Sequence, residues 1–227
     1  MDITAPTSLG PGRLVVAAAD APRALLWLGH GAGGGIDAVD LAALAHALPP
    51  SGISVARYEQ PWRVAGKRVA SRPEALDLAW RETAPVVADL AAGLPLFVGG
   101  RSAGARVACR TATELGAAGV VCLAFPLHPP GRPDKSRLDE LLLPEVPVLV
   151  LQGDRDPFGT AETVAAEAAG RDGIRVVPVP GADHGMKTLA SSALDSAGVA
   201  ELIVSTAARF IDEVVHPNRR NGAGSRG

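Results

Sequence analysis

Short, unbroken apolar runs alternate along this chain with longer segments whose apolar positions recur every three to four residues. The runs predict strands over residues 14–18, 24–28, 53–57, 96–98, 120–124, 148–151 and 175–179. Most lack strict alternation, which is the pattern of strands covered on both faces of a parallel sheet. Helical segments fall between them, over 38–47, 73–92, 103–115, 160–169 and 198–215. In the second of these Ala75, Leu78, Ala79, Val86 and Leu90 recur at near-helical spacing, and Pro73 suits a first turn. Strands alternating with helices predict βαβ units. The expected fold class is therefore α/β, a doubly wound, mostly parallel sheet with helices on both faces.

No internal repeat and no linker rich in Pro, Gly or Ser divides the chain, so residues 1–215 are expected to form one domain. The stretch 216–227, HPNRRNGAGSRG, has almost nothing to bury and is expected to be a disordered tail. One segment breaks the alternation: residues 125–144, FPLHPPGRPDKSRLDELLLP, whose prolines forbid a long helix at its start. It reads as a loop with one short helix, placed to overhang a site at the carboxyl ends of the strands.

Composition changes this picture little. A chain of 227 residues can bury a substantial core, and 47% hydrophobic with 20% charged residues is ordinary for a globular protein. The formal net charge of -2 gives no electrostatic case for nucleic acid or an anionic membrane as partner. No run approaches the roughly 20 apolar residues of a membrane-spanning helix. The opening MDITAPTSLG lacks the basic and apolar parts of a secretory signal, which leaves a cytoplasmic location as the default expectation. Cys109 and Cys122 have neither CxxC spacing nor a nearby histidine pair. They read as buried small hydrophobes, and no metal site is expected.

The chemistry concentrates in turns that follow strands. Residues 96–105 read LFVGGRSAGA and contain G-x-S-x-G at Gly100, Ser102 and Gly104, between an apolar strand and a helical run. A serine hydroxyl becomes a useful nucleophile only when exposed, oriented and paired with a base. A sharp strand-to-helix turn exposes Oγ, and the helix start behind it offers free N–H groups where an oxyanion would form. The plainer reading is a tight turn whose serine caps the helix. Partners in the order Ser, Asp, His favour the first reading. After the strand at 148–151 comes QGDRDPFG, in which Asp156 is favoured over Asp154 because it lies deeper in the turn and before a proline. After the strand at 175–179 comes PGADHG, which presents His184. Near the front of the sheet, LLWL runs into GHGAGGG. This turn lacks the order of a phosphate-binding or dinucleotide-binding loop and reads as an oxyanion loop. Ala32 is the first choice for an amide donor beside Ala103, Gly33 the second, and His30 is expected to anchor the loop.

Taken together, HGAGGG, GRSAG, QGDRDPFG and GADHG resemble the α/β-hydrolase superfamily over nearly the whole chain. The likeness is greatest to its small branch without a lid domain, the dienelactone-hydrolase-like proteins and small carboxylesterases, and within it to a group sharing HGAGG and G-[RK]-S-x-G. That resemblance implies Ser102, Asp156 and His184 as a catalytic triad, with oxyanion donors at Ala32 and Ala103. Dienelactone hydrolases carry cysteine at the nucleophile position, so lactone specificity does not carry over to Ser102. The expected activity is hydrolysis of a small or medium carboxylic ester or thioester, without a cofactor. The alternatives are a non-catalytic interaction module on the same fold, or acyltransfer or peptidase chemistry on the same triad. Residues 57–68, RYEQPWRVAGKR, suggest a cationic and aromatic rim of Tyr58, Trp62 and Arg63, against the plainer reading of a solvated loop. Arg101 could join that rim or pair with Glu59, and His128 could line the pocket from the proline-rich segment.

Overall fold

The computed structural model describes residues 1–217, so the expected disordered tail lies outside the described residues apart from His216 and Pro217. Strands β1 (Asp2–Ala5), β2 (Gly12–Ala17), β3 (Ala24–Gly29), β4 (Ile53–Glu59), β5 (Leu96–Arg101), β6 (Gly119–Leu123), β7 (Val148–Gly153) and β8 (Ile174–Val179) form one sheet. Its order is β1-β2-β4-β3-β5-β6-β7-β8. The β1–β2 and β2–β4 pairings are antiparallel and the others parallel. The helices are α1 (Val39–Ala47), α2 (Pro61–Val64), α3 (Pro73–Ala91), α4 (Ala103–Thr111), α5 (Leu138–Leu141), α6 (Ala161–Glu167) and α7 (Ser196–Val215). No helix among the described residues is long and apolar enough to cross a membrane.

Successive strand residues point to opposite faces, and here both faces are covered. Along β3, Leu25 and Trp27 enter the core under α3 and α4, whereas Leu26 and Leu28 enter the core under α1 and α7. That double burial is why the strands read as continuous apolar runs. In the first core Trp27 stacks on Trp80 of α3, with centroids 3.6 Å apart and planes 2° from parallel, and Tyr58 of β4 meets both rings edge-on. Such pairs add about 0.5–1.5 kcal/mol beyond the area they bury.

Several boundaries differ from expectation. The buried stripe of α3 is Leu76, Ala79, Trp80, Thr83, Val87 and Ala91, and Leu78 faces outward. Trp80 sets that register by its stack on Trp27. Helix α4 stops at Thr111 rather than 115; residues 112–116 tighten into turns closed by Leu115 N–H to Thr111 O and Gly116 N–H to Thr113 O. Helix α7 begins earlier than 198 because Asp195 caps it, its carboxylate accepting from Gly198 N–H at 2.8 Å. Strand β1 was not expected, since DITA is short and mixed. It is tied to β2 by reciprocal bonds between Met1 and Val16.

The strand order reverses between β3 and β5. After β3 the chain crosses to β4 on one side, whereas β5 pairs with β3 on the other. The crevice outside the carboxyl ends of such strands is where ligands bind in open α/β sheets. Helix α4 starts hard against the end of β3: a Cβ at Gly104 would fall under 3.0 Å from the Gly29 carbonyl. Only glycine allows that approach, which brings the turn before α4 beside the loop after β3.

Candidate active site

Ser102 sits where β5 turns into α4, with φ 51° and ψ -110°. A non-glycine residue there stores roughly 1–3 kcal/mol of strain and needs surroundings that hold it. The hold comes from both sides. Ser102 N–H donates to Leu123 O at 3.0 Å, and Arg106 N–H returns to Ser102 O at 3.2 Å. Gly100, with φ 153°, lies under 3.0 Å from Gly29 backbone at the place a Cβ would occupy.

His184 lies beyond β8 in a turn organised by Asp183, whose Oδ1 accepts from Gly185 N–H at 2.7 Å and Lys187 N–H at 3.0 Å. Its Nε2 is 2.9 Å from Ser102 Oγ and its Nδ1 is 2.8 Å from Asp156 Oδ2. Asp156 is buried beyond β7 and accepts throughout: Phe158 N–H bonds Oδ1 at 2.8 Å, and Gln152 Nε2 bonds Oδ2 at 3.0 Å. A carboxylate so surrounded takes the Nδ1–H of His184, which leaves Nε2 as an acceptor for the Ser102 hydroxyl. The Phe158 ring stacks on the imidazole, 4.1 Å between centroids at 28°, and fixes its plane. Asp154, the alternative aspartate, is exposed and accepts from Gly181 N–H at 2.8 Å, away from His184.

Ala32, Gly33 and Ala103 border the same cleft as Ser102 and His184, an open space of about 860 Å³. Among the described residues their amides donate to no protein acceptor. His30 anchors the loop before them. Its Nδ1–H donates to Gly31 O at 2.8 Å and its Nε2 accepts from Gln60 N–H at 3.2 Å. Burial lowers the His30 pKa below the ordinary 6.5, as this neutral, doubly bonded ring requires.

The rim expectations fare unevenly. Arg63 does border the cleft. Tyr58 does not: β4 runs to Glu59, so Tyr58 falls inside the strand, fully buried, with its hydroxyl donating to Ala79 O at 3.3 Å. Burial pushes its pKa up to about 12. Trp62 is buried against His30 in α2, facing a small inner cavity rather than the rim. His128 lies outside the cleft lining, its Nδ1 3.0 Å from Pro129 O. Arg101 does not reach Glu59, which Arg13 takes at 3.0 Å. Instead Arg101 Nη2 donates to the His184 carbonyl at 2.6 Å, and its Nη1 lies 3.5 Å from Asp40 Oδ1. Burial raises the pKa of Asp40, with Arg101 opposing. The proline-rich segment carries a single-turn 3-10 helix and α5, and contributes Pro126 and Arg137 to the cleft wall.

Gln152, Phe158 and Asp40 were missed as supports. The signal for Gln152 was present, a lone amide ending the apolar run VLVL. Cys109 and Cys122 are both buried, with sulfurs 3.5 Å apart.

A family model described as alpha/beta hydrolase domain matches residues 22–212. No curated protein matches the sequence. Among solved structures, an alpha-beta serine hydrolase homologue from Coxiella burnetii superposes with a TM-score of 0.73 at 18% identity, covering 91% of this chain and 96% of that one. A lidless serine hydrolase from Xanthomonas campestris gives 0.70 at 21% identity, over 100% and 96%. Est1E from Butyrivibrio proteoclasticus gives 0.71 at 14% identity, over 94% and 98%. At such identities these structures speak for the fold, and the matched model spans every strand of the sheet from β3 to β8. With its serine turn between β5 and α4 and no separate lid over the crevice among the described residues, the chain belongs to the α/β-hydrolase family.

Proposed function

We propose that this protein is a serine hydrolase that cleaves a small or medium carboxylic ester or thioester through an acyl-enzyme on Ser102. The observation that carries the reading is the continuous relay from Ser102 Oγ through His184 to the buried Asp156, at 2.9 and 2.8 Å, on a strained turn. His184 Nε2 removes the hydroxyl proton as Oγ attacks the carbonyl carbon. Asp156 holds the tautomer and stabilises the imidazolium that results. The developing oxyanion accepts from the Ala103 amide and from Ala32, with Gly33 as the alternative donor; one such donor is typically worth about 10²–10³ in rate. His184 then returns the proton to the leaving oxygen or sulfur. Water, deprotonated by the same imidazole, releases the acid. These steps use side chains and backbone amides alone. One structural neighbour is named as an esterase, Thermogutta terrifontis esterase 2, and is described as phosphoramylated by tabun, which fits an acyl-transfer reading of the shared fold.

The test is reaction with a fluorophosphonate probe, beside Ser102→Ala and His184→Ala, followed by p-nitrophenyl esters of increasing chain length. Wild type should label and turn over ester, Ser102→Ala should do neither, and His184→Ala should label far more slowly. A folded wild type that fails to label removes the reading. Turnover that a second alcohol or amine diverts from water would reassign the acceptor, not the acyl-enzyme.

A further inference from the structure

The cleft is lined by Arg63, Arg101, Arg106, Arg137 and Lys187, with Asp37 as the one carboxylate among its described lining residues. These cations are not equally committed. Arg106 is held by Glu140 in two bonds, and Arg101 by Asp40 and the His184 carbonyl. Asp37 is taken by Arg57 at 3.0 Å. Three charges remain on the cleft wall without a carboxylate partner among the described residues. Arg137 bonds Pro126 O through Nη1 at 2.8 Å, and its Nε and Nη2 meet no protein acceptor among the described residues. Arg63 reaches over Gly35 of the loop after β3, and Lys187 follows His184 in its turn; neither makes an ion pair among the described residues. The protein as a whole carries a formal charge of -2, so this concentration of positive charge is local to the cleft.

A half-buried guanidinium with free donors is costly unless something anionic completes it. Burial pulls the Arg137 pKa down, and the neighbouring Arg106 adds to that, with Glu140 opposing. The charge is under-compensated before substrate arrives.

From this we infer that the substrate is an ester or thioester bearing a second, anionic group, a carboxylate or phosphate, which Arg137 receives with Arg63 and Lys187 at the cleft wall. The inference rests on the hydrolase reading above and narrows its substrate class. The anion stays bound to the same fixed donors as substrate and transition state form. It therefore raises kcat/KM chiefly through binding, and its contribution weakens as salt screens the exposed members.

The experiment compares esters matched in length but not charge, in two arms. On the acyl side, mono-p-nitrophenyl glutarate is set against p-nitrophenyl hexanoate. On the alcohol side, the butyryl ester of p-hydroxybenzoate is set against that of p-hydroxybenzamide. In at least one arm kcat/KM should favour the charged ester by about tenfold at low salt, and the ratio should shrink as salt rises. Arg137→Gln should lower that ratio several-fold, and Arg137→Lys should retain more of it. Since Arg137 also supports the proline-rich segment, Arg63→Gln with Lys187→Gln, both at exposed positions, provides a second reading of the ratio. Turnover of neutral esters with no preference for charge in either arm would overturn the inference while leaving the hydrolase reading intact. Failure of every ester, with no fluorophosphonate labelling, would instead remove the reading it rests on.

Discussion

Replacing Asp156 by asparagine changes one atom and conserves shape, which makes it the sharpest probe of the relay. The carboxylate accepts from three N–H groups: His184 Nδ1 at 2.8 Å and Gln152 Nε2 at 3.0 Å on Oδ2, and Phe158 N at 2.8 Å on Oδ1. An asparagine has one acceptor oxygen, so its NH₂ must face donors in either orientation. With the amide oxygen toward Phe158, the NH₂ opposes Gln152 and His184. His184 can then accept through Nδ1 only by moving its proton to Nε2, and Nε2–H no longer accepts from Ser102. With the oxygen toward His184, the NH₂ opposes Phe158 N–H instead. A buried donor left unpaired costs about 1–3 kcal/mol, so the first orientation is disfavoured twice and the second once. The expected outcome is a stability loss of roughly 1–3 kcal/mol by urea unfolding. Labelling by fluorophosphonate should fall by more than tenfold. In the favoured orientation the tautomer survives but no carboxylate charge stabilises the imidazolium, so the loss should be smaller than the roughly 10⁴ seen where the same change in a protease triad also costs the tautomer. The residual rate should exceed that of Ser102→Ala. A variant that stays folded and labels within tenfold of wild type would refute the role given to Asp156.

Two further predictions concern the supports. Arg101→Met leaves the buried Asp40 carboxylate without its cation and the His184 carbonyl without its donor. Breaking a buried pair from one side costs roughly 3–5 kcal/mol, and the 3.5 Å Arg101–Asp40 separation places this case at or below the low end. Adding Asp40→Asn should recover much of the stability lost but little of the labelling rate, and unchanged labelling in Arg101→Met would contradict the positioning role. His30 supplies a pH dependence. Its folded pKa is depressed below 6.5, so the unfolded chain binds the proton more readily and stability falls as pH drops below about 6.5, by at most about 1.4 kcal/mol per pH unit from this one group. Urea unfolding of wild type and His30→Gln at paired pH values isolates that slope; identical slopes would show that His30 is not held neutral.

Most of the sheet is legible in the chain because strands buried on both faces leave long apolar runs, as in 24–28 and 148–151. The candidate site residues stand out because each sits in a glycine-rich turn after such a run, and the fold brings Ser102, His184 and Asp156 within hydrogen-bond distance. Positions that depend on where a strand ends, or on tertiary contact, are not. Taking β4 to stop at 57 placed Tyr58 in a loop, and two more strand residues put it in the core. The role of Arg101 depends on a helix more than fifty positions away, and no local pattern announces its contact with Asp40. Likewise α3 offers apolar residues on adjoining faces, and only the stack of Trp80 on Trp27 decides which face turns inward. Lys187 and Arg137 lie far apart in the chain and become one charged wall only when the turn after β8 meets the segment after β6.

The central claim is that Ser102 becomes acylated during turnover. It is tested most directly by acid-quenching a reaction with p-nitrophenyl acetate and mapping the acyl group by peptide mass spectrometry. The account predicts acetate on the peptide that carries Ser102, formed in wild type and absent in Ser102→Ala together with turnover. Acylation confined to another residue such as Lys187, or ester turnover that persists in Ser102→Ala, would contradict it.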